Sequence, residues 1–333
     1  MEPRPIVACP DINPASSLQF IINAAAGSSD AETKREVIET ALRQAGRRGH
    51  VLFSQPDELA NVAHLAATQA KASQTAVVAV GGDGTINTVA QAAHALGCAM
   101  GVVPQGTFNY FARTHGIAAD PAEAVQLLLQ CTPLPVQVAS LNDRIFLVNA
   151  SLGLYPELLE EREAYKARFG RSQWVAFWAA SATLLRAQRK LRLSIEQGAV
   201  VREVRALTLF VGNNRLQLAQ LGVHAQSGPQ PTAAEGHLTA VILRPIGTLA
   251  MVRLMLHGAM GTLGDAQNIE YFPFERLLVR PTLASGRRGV KVAFDGEVTH
   301  MRAPLHFQVV AKPLFLLKPQ PRGTATNPED TGA

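Results

Sequence analysis

Ala76-Val77-Val78-Ala79-Val80 runs directly into Gly81-Gly82-Asp83-Gly84-Thr85, and this stretch decides the fold. The apolar run predicts a buried strand, and the glycines predict a turn that leads into a helix from Ile86. Three glycines let backbone N–H groups approach an anionic ligand, and the start of the helix adds partial positive charge. An aspartate in such a turn would repel a phosphate unless a cation lies between them or the carboxylate handles a proton. The stretch therefore indicates phosphoryl transfer.

The bulk composition is that of a globular protein. The chain has 333 residues, of which 47% are hydrophobic and 17% charged. These values fit two domains, or one large one, with a sizeable core, and exclude a disordered chain. The net charge of +5 is compatible with phosphates or anionic surfaces without selecting between them. Cys9, Cys98 and Cys131 are scattered without a CxxC pair, which argues against a zinc site or a disulfide framework and favours a reducing cytosol.

The ends of the chain and its most apolar helical stretch bear on location. The N-terminus lacks the basic start and long apolar run of a signal peptide. The stretch 174–185 is about half as long as a bilayer-spanning helix. We therefore expect a soluble or peripheral protein in the cytoplasm. Pro, Gly, Thr and Asn are frequent in residues 319–333, so a disordered tail is expected there.

The spacing of apolar and polar segments predicts two domains of different class. Over residues 15–135, strand-like runs alternate with helical segments, which implies crossover connections and a parallel sheet. Over residues 136–318, short strand-like runs are mostly separated by Gly, Pro or Asn turns, which predicts an antiparallel β-sandwich. The fold class is therefore α/β plus β, with an N-terminal Rossmann-like nucleotide domain and a C-terminal β-sandwich domain.

Polar turns follow three of the predicted parallel strands, at residues 23–27, 81–85 and 104–109. Ligands of an open parallel sheet bind beyond the carboxyl ends of its strands, so these turns can share one nucleotide. Glycine amides would hold the phosphates, and the hydroxyls of Thr85 and Thr107 would contact phosphate oxygens. A fourth turn, the Asp-Gly-Glu at 295–297, is either a plain hairpin turn or, if it folds back toward the nucleotide, the source of a general base.

In order and spacing, these motifs resemble the signature of the diacylglycerol kinase catalytic-domain family. They read Gly81-Gly82-Asp83-Gly84-Thr85, then Pro104-x-Gly106-Thr107-x-Asn109-x-x-Ala112-Arg113, then Asp295-Gly296-Glu297. The family includes bacterial lipid kinases, sphingosine kinases and ceramide kinases, is distantly related to NAD kinases, and is similar to this chain over about residues 17–318. The sequence has no Gly-x-x-x-x-Gly-Lys-Ser/Thr motif, so an ordinary P-loop ATPase is excluded as the comparison.

The resemblance implies that ATP and Mg²⁺ are used and that a cleft separates the two domains. Its nucleotide-contact positions fall on Asn23, Ser54, Gly81, Gly82, Asp83, Gly84, Thr85, Ile86, Asn87, Thr107 and Asn109. It places the proton acceptor at Glu297, assisted by Asp295, and the catalytic metal near Asp83. Glu235 lies in a segment similar to the one near which bacterial members hold a structural magnesium.

Three positions depart from the family pattern. Tyr110 and Gln137 stand where members commonly carry aspartate, and Thr88 stands where glutamate is usual. Hydrated Mg²⁺ is often held through only one or two carboxylates, so these losses leave Asp83 as the main one. Either Asp83 and the phosphates suffice, or the metal geometry differs, or catalysis is weak.

The segment 162–192 is rich in Lys and Arg around Trp174, Phe177 and Trp178. One interpretation is an interfacial surface that docks on anionic lipid, and the other is an aromatic face packed on the sandwich with a solvated basic face. The expected partner is a lipid substrate at the inner face of the membrane, with peripheral association and no nucleic acid. A homodimer is left open.

These observations together predict an ATP-dependent lipid kinase that phosphorylates a hydroxyl of diacylglycerol or a related lipid. One alternative is a soluble metabolite kinase of the NAD kinase type, although nothing here matches the glycine-rich signature of that relative. The other is a nucleotide- or lipid-binding protein with weak or no turnover, which Tyr110 and Gln137 motivate.

Overall fold

The computed structural model describes residues 8–24, 28–106, 108–153, 156, 191–213, 236–245, 269–281 and 289–320. The helices in these ranges are α1 (Ser28–Gln44), α2 (Leu59–Ala72), α3 (Asp83–Leu96), α4 (Tyr110–Thr114) and α5 (Pro121–Gln130). The strands are β1 (Leu18–Asn23), β2 (Gly49–Ser54), β3 (Ala76–Gly81), β4 (Ala99–Pro104), β5 (Thr132–Val136), β6 (Ala139–Leu141), β7 (Arg144–Phe146), β8 (Asn149–Gly153), β9 (Leu191–Gln197), β10 (Val200–Ala206), β11 (Thr208–Gly212), β12 (Leu238–Leu243), β13 (Ile269–Phe274), β14 (Arg276–Pro281), β15 (Val290–Phe294), β16 (Glu297–Met301), β17 (Leu305–Val309) and β18 (Leu314–Lys318).

The first five strands and the last strand, β18, form a six-stranded sheet in the order β2-β1-β3-β4-β18-β5. Strands β2, β1, β3, β4 and β18 are mutually parallel, and β5 runs antiparallel to β18. Every residue of β3 and β4 is buried, which is expected of central parallel strands covered on both faces. The predicted parallel-sheet architecture with helices is confirmed.

The register aligns the carboxyl ends of the first four strands. Asn23 at the end of β1 lies opposite Ser54 at the end of β2, and Gly81 at the end of β3 lies opposite Pro104 at the end of β4. The turns that leave these strands therefore meet at one edge of the sheet, where ligands of open parallel sheets bind.

Helix α2 packs against both the sheet and α3 through a face of small side chains. Its buried residues, at helical spacing, are Leu59, Ala63, Ala66, Ala67 and Ala70. Alanine at four of these positions allows close approach of the helix axis, and alanine also has the highest helix propensity. Helix α3 continues this apolar layer with Val89, Ala90 and Ala93 and packs against β3 and β4.

The second half builds two antiparallel six-stranded sheets. Their orders are β10-β9-β14-β17-β6-β7 and β13-β12-β11-β8-β15-β16. A core cluster that draws on strands of both sheets contains the buried aromatic residues Phe146, Phe274, Phe294 and Phe307. Alternating buried and exposed residues along β9 and β17 match sheets that bury one face only. The predicted antiparallel β domain is confirmed.

The last strand returns to the first sheet. Sequence analysis places residues 136–318 together, whereas β18 pairs with β4 on one side and with β5 on the other. Four of the five residues of β18 are buried, as an apolar run requires between two neighbouring strands. The chain therefore crosses between the two halves twice, once after β5 and once before β18.

Several predictions from the sequence fall on residues outside the described ranges. They concern the nucleotide contact at Thr107, the magnesium segment at Glu235, the basic segment up to residue 190 and the tail from residue 321, and they stay predictions. Within the part of the chain that the structure describes, no helix has the length and apolarity needed to cross a bilayer.

Candidate active site

The glycine turn after β3 is closely packed against the first turn of α3. A Cβ atom on Gly81 would lie 2.7 Å from both Cβ and Oγ1 of Thr85, so only glycine fits there without movement. Thr85 is buried, and its hydroxyl accepts a hydrogen bond of 3.2 Å from Nδ2 of Asn23 at the end of β1. This contact ties two of the predicted nucleotide turns together.

The turn after β4 packs against the glycine turn backbone to backbone. Gln105 N–H donates to the carbonyl of Gly81 at 2.8 Å, and a Cβ atom on Gly106 would lie 3.0 Å from Cα of Gly82. The side chain of Asn109, which has a positive φ of 48°, accepts from Gly106 N–H at 2.8 Å and donates to the Gly106 carbonyl at 2.9 Å. Asn109 therefore shapes this turn with its side chain.

Asp83 links the glycine turn to α4. Burial raises the pKa of Asp83, and the nearby backbone N–H groups of Asn109 and Tyr110 oppose that rise. The Oδ1 atom is buried and has no hydrogen-bond partner among the described residues. A buried carboxylate oxygen without a partner is costly, which makes this atom a candidate ligand for a cation.

The Asp-Gly-Glu motif forms the two-residue turn between β15 and β16. Phe294 and Glu297 are paired across the hairpin, and Asp295 and Gly296 have φ values of 45° and 89°. Positive φ at both central residues is typical of the type I′ turn, whose twist matches that of the flanking strands. The motif can therefore be a hairpin turn and also contribute to the site, so the two interpretations are compatible.

Asp295 is fully engaged in hydrogen bonds inside the protein. Its Oδ1 accepts from the N–H groups of Val148 (2.8 Å) and Asn149 (3.0 Å). Its Oδ2 accepts from Leu147 N–H (2.7 Å) and from Nδ2 of Asn87 (2.6 Å), 208 residues away in sequence. Burial raises the pKa of Asp295 to about 6, and the hydrogen bonds limit this rise. With 4% of its surface exposed, Asp295 cannot reach a substrate as placed, and it acts on the site by holding the turn.

Gln91, one helical turn after Asn87 on α3, belongs to the same hydrogen-bond network as Asp295. The Gln91 amide donates to the Ile145 carbonyl at 2.5 Å, accepts from Ile145 N–H at 3.1 Å and donates to Oδ1 of Asn87 at 3.1 Å. Asp83, Asn87 and Gln91 recur every four residues, so they share one face of α3. That spacing is the signal by which sequence reasoning could have found Gln91.

Glu297 reaches across from the second half of the chain to the first turn of α3. Its Oε1 lies 2.7 Å from where a Cβ atom on Gly84 would stand. The residue keeps solvent exposure, yet the protein atoms around its carboxyl group raise its pKa by desolvation, and the charge of Arg144 lowers it. A carboxyl group with a raised pKa thus lies at the N-terminus of α3, where backbone N–H groups favour anions.

Three other residues that were predicted to contact the nucleotide make their contacts within the protein. The Ser54 side chain is buried and donates to the Gln55 carbonyl at 2.9 Å. Ile86 belongs to the apolar core, and Asn87 belongs to the hydrogen-bond network of Asp295. The structure thus brings Asn23, Thr85, Asp83 and Glu297 to one edge, while Ser54, Ile86 and Asn87 support that edge from within.

The two departures from aspartate have clear local roles. Tyr110 stacks on Phe108 with ring centroids 5.5 Å apart and planes 4° apart. Gln137 accepts from Gly236 N–H at 2.5 Å and donates to Oδ1 of Asn213 at 2.9 Å and to the His237 carbonyl at 3.2 Å. A neutral amide can donate and accept in this network, whereas a carboxylate could only accept.

Comparison with known proteins shows which proteins this chain resembles in sequence. Residues 17–141 match the profile of the diacylglycerol kinase catalytic domain. A Klebsiella pneumoniae protein named "Probable lipid kinase YegS-like" is 39% identical over 98 residues, which cover 28% of this chain and 33% of that protein. A Staphylococcus aureus strain Mu3 protein named "Putative lipid kinase" is 26% identical over 246 residues, which cover 72% of this chain and 75% of that protein.

The fold has a solved counterpart as well. A crystal structure described as that of a "putative diacylglycerol kinase" from Bacillus anthracis str. Sterne superposes with a TM-score of 0.67. The superposition covers 91% of this chain and 97% of that one at 19% sequence identity, so it establishes the shared fold. The chain therefore shares the two-domain fold of that protein, and residues 17–141 are similar to the diacylglycerol kinase catalytic domain, as the motifs predict.

Proposed function

We propose that this protein is an ATP-dependent lipid kinase that transfers the γ-phosphate to a hydroxyl of diacylglycerol or a related lipid. The observation that carries the proposal is the contact between the Glu297 carboxyl group and Gly84. It sets a carboxylate of raised pKa beside a glycine turn at a helix N-terminus, which is the pairing of base and phosphate site that phosphoryl transfer needs.

In this proposal the ATP phosphates lie against the turn from Gly81 to Thr85, where backbone N–H groups and the start of α3 favour negative charge. Glu297 takes the proton of the acceptor hydroxyl while the hydroxyl oxygen forms a bond to the γ-phosphorus. The bond from that phosphorus to the β–γ bridging oxygen breaks, and ADP leaves with the electron pair. Asp295 keeps the hairpin in position, which fixes Glu297 relative to Gly84.

The residues present fit a Mg²⁺ ion bound mainly through phosphates and water. The described residues contain no cluster of three or more His, Cys, Asp or Glu side chains that could hold a metal. Mg²⁺ bound with nucleotides commonly uses one or two carboxylates and keeps several waters, and Oδ1 of Asp83 is the free carboxylate oxygen here. When bound, the ion would neutralise charge on the phosphates, which also removes the repulsion between Asp83 and ATP.

The lipid acceptor and the site of action belong to the proposal. The names of the Klebsiella and Staphylococcus relatives are those of lipid kinases, and the net charge of +5 is compatible with an anionic membrane surface. We place the enzyme in the cytoplasm, peripheral to the inner face of the membrane.

A second candidate is a nucleotide- or lipid-binding protein with weak or no turnover. The observation that favours it is the use of Tyr110 in an aromatic stack and of Gln137 in an amide network, at positions where the family commonly has carboxylates. A third candidate is a kinase of the NAD kinase type, which would phosphorylate a soluble metabolite instead of a lipid.

One assay separates the three candidates. The purified protein is incubated with γ-labelled ATP and Mg²⁺, and either diacylglycerol vesicles, total membrane lipid or NAD is the acceptor. We expect label in a lipid product, loss of label by about 10²-fold or more in Glu297→Gln, and full activity in Glu203→Gln, an exposed glutamate on β10. Label on NAD alone would replace lipid with metabolite as substrate. Tight ATP binding without transfer to any acceptor would support the binding protein instead.

A further inference from the structure

A cavity of about 550 Å³ lies away from the candidate active site. Leu18 and Arg47, which line it, are at the amino-terminal ends of β1 and β2, whereas Asn23 and Ser54 mark the carboxyl ends. The length of β1 separates the two ends by roughly 17 Å at about 3.3 Å per residue. The volume is in the range of pockets that hold small molecules, about 300–1,000 Å³.

Arg47, a cation that lines the cavity, has one buried hydrogen-bond donor without a partner among the described residues. Arg47 follows the turn at Gly46, which has a φ of 63° and ends the helical segment, and its backbone N–H donates to the Leu42 carbonyl at 2.9 Å. The Nε atom of Arg47 is buried and has no hydrogen-bond partner among the described residues. Leaving a buried charged donor unsatisfied is unfavourable, so a ligand that accepts this hydrogen bond is favoured.

The walls around Arg47 are mainly aliphatic. Ile12, Leu128, Leu129 and Leu317 line the cavity, and its described lining residues include no aromatic side chain. A nucleotide base would lack a stacking partner there, whereas an alkyl chain would find apolar contacts. Asp11, the only acid among those lining residues, is exposed.

One wall is a strap formed by the residues before β1. The Cys9 thiol donates to the Pro133 carbonyl at 2.8 Å, and Asn13 N–H donates to the Gln74 carbonyl at 2.8 Å. These two anchors hold Pro10 and Ile12 beside the cavity. The pocket is therefore formed in advance of ligand binding, which reduces the entropy that a ligand must lose to be bound.

We propose that this cavity is a second binding site, for a small amphipathic anion with one carboxylate or phosphate-monoester group on an alkyl chain. The anionic group accepts hydrogen bonds from the Arg47 guanidinium, whose planar fork suits both groups, and the chain packs on the leucines. The site is independent of the kinase activity, because its residues take no part in the proposed transfer.

Two cysteines in the cavity give a local readout. Cys9 and Cys131 line it, whereas Cys98 is 2% exposed and belongs to the core. The full chain is alkylated with iodoacetamide, and each cysteine is followed by mass spectrometry. Decanoate, decyl phosphate and the neutral decanol are compared below their micelle-forming concentrations.

At ten times its dissociation constant, decanoate or decyl phosphate is expected to slow alkylation of Cys131 about tenfold. Arg47→Met should weaken binding of both anions by about 10- to 100-fold. Arg47→Lys keeps the positive charge and should show a smaller loss, so it tests the site even if the methionine variant fails to fold. Two control variants should leave the protection of Cys131 by the anions unchanged. They are Arg43→Met, at an exposed arginine in the last turn of α1, and Glu297→Gln.

Three results would overturn the second site. They are no protection of Cys131 by either anion, equal protection by decanol, and undiminished protection in both Arg47 variants. Protection by only one of the two anions would support the site and identify its preferred group. Loss of protection in Glu297→Gln would place binding at the kinase cleft and would also overturn the inference.

Discussion

Glu297 and Gly84 are in close contact: Oε1 of Glu297 lies 2.7 Å from the position that a Cβ atom on Gly84 would occupy. The contact joins the hairpin of the β domain to the first turn of α3, so two motifs from opposite ends of the chain form one site. Because Gly84 has no side chain, the carboxyl group can approach the helix terminus where phosphate binding is proposed.

Gly84→Ala should reduce catalysis with little effect on folding. The added methyl group displaces the flexible end of Glu297, and alanine suits a helix, so we expect the free energy of unfolding to change by less than about 1 kcal/mol. The misplaced base should lower kcat by about 100-fold. Phosphate-transfer kinetics and urea unfolding test this. As a control, Gly198→Ala at a φ of 60° should cost about 1 kcal/mol of stability and leave kcat unchanged; equal losses of kcat in both would contradict the prediction.

The pH dependence of transfer should depend on Arg144. Glu297 must be ionised to accept a proton, so kcat/KM should fall as the pH drops through its pKa, which burial holds above 4.5. Since Arg144 lowers that pKa, Arg144→Gln should move the acid limb of the pH profile to higher pH. Arg276→Gln, an exposed arginine on β14, serves as the matched control. An acid limb that stays in place would show that another group controls it.

Asp83→Asn should separate a role in metal binding from a role in the turn. Asparagine keeps the size of the side chain and an acceptor oxygen near the N–H groups of Asn109 and Tyr110, so the turn should be kept. Removing the charge should weaken ATP binding about tenfold when Mg²⁺ is present, and should leave it equal or tighter in EDTA, where repulsion is relieved. Calorimetric titration with and without Mg²⁺ measures both. An equal loss in the two conditions would indicate a purely structural role.

Asp295 should make stability depend on pH. Its folded pKa of about 6 lies above the ordinary value of 3.8, so the folded state binds more protons between those values. Its contribution to stability is therefore fully present below pH 3.8 and is lost as the pH rises through about 6. The difference in free energy of unfolding between the native chain and Asp295→Asn should shrink by about 2–3 kcal/mol from pH 4 to pH 8.

Urea unfolding across this pH range measures that difference. Asp143→Asn, at an exposed aspartate, is the matched control for removal of a carboxyl group. A difference for Asp295→Asn that grows with pH would mean that the four hydrogen bonds outweigh burial and lower the pKa instead.

The sequence allowed the fold class and the edge of the sheet to be predicted. The run from Ala76 to Val80 is a buried strand, the glycines that follow form the turn, and the polar turns after β1, β3 and β4 meet at one edge. These features follow from local patterns: apolar runs, glycine conformations and the common direction of parallel strands. The family resemblance was visible in the same motifs.

Other features were settled by long-range packing. Asp295 and Glu297 are neighbours in one motif, yet one is sealed inside a network with Asn87 and the other faces Gly84. Local periodicity cannot separate them, because the tight turn sets where each side chain points and the opposite domain sets what it meets.

Local sequence patterns thus predict the kind of elements and the chemistry they carry, since both depend on neighbouring residues. Tertiary packing sets three further features: β18 returns to the first sheet, Arg144 lies near enough to Glu297 to lower its pKa, and Arg47 keeps a buried donor without a partner among the described residues. These three outcomes depend on distances between segments far apart in the chain, which are set by packing of the two cores.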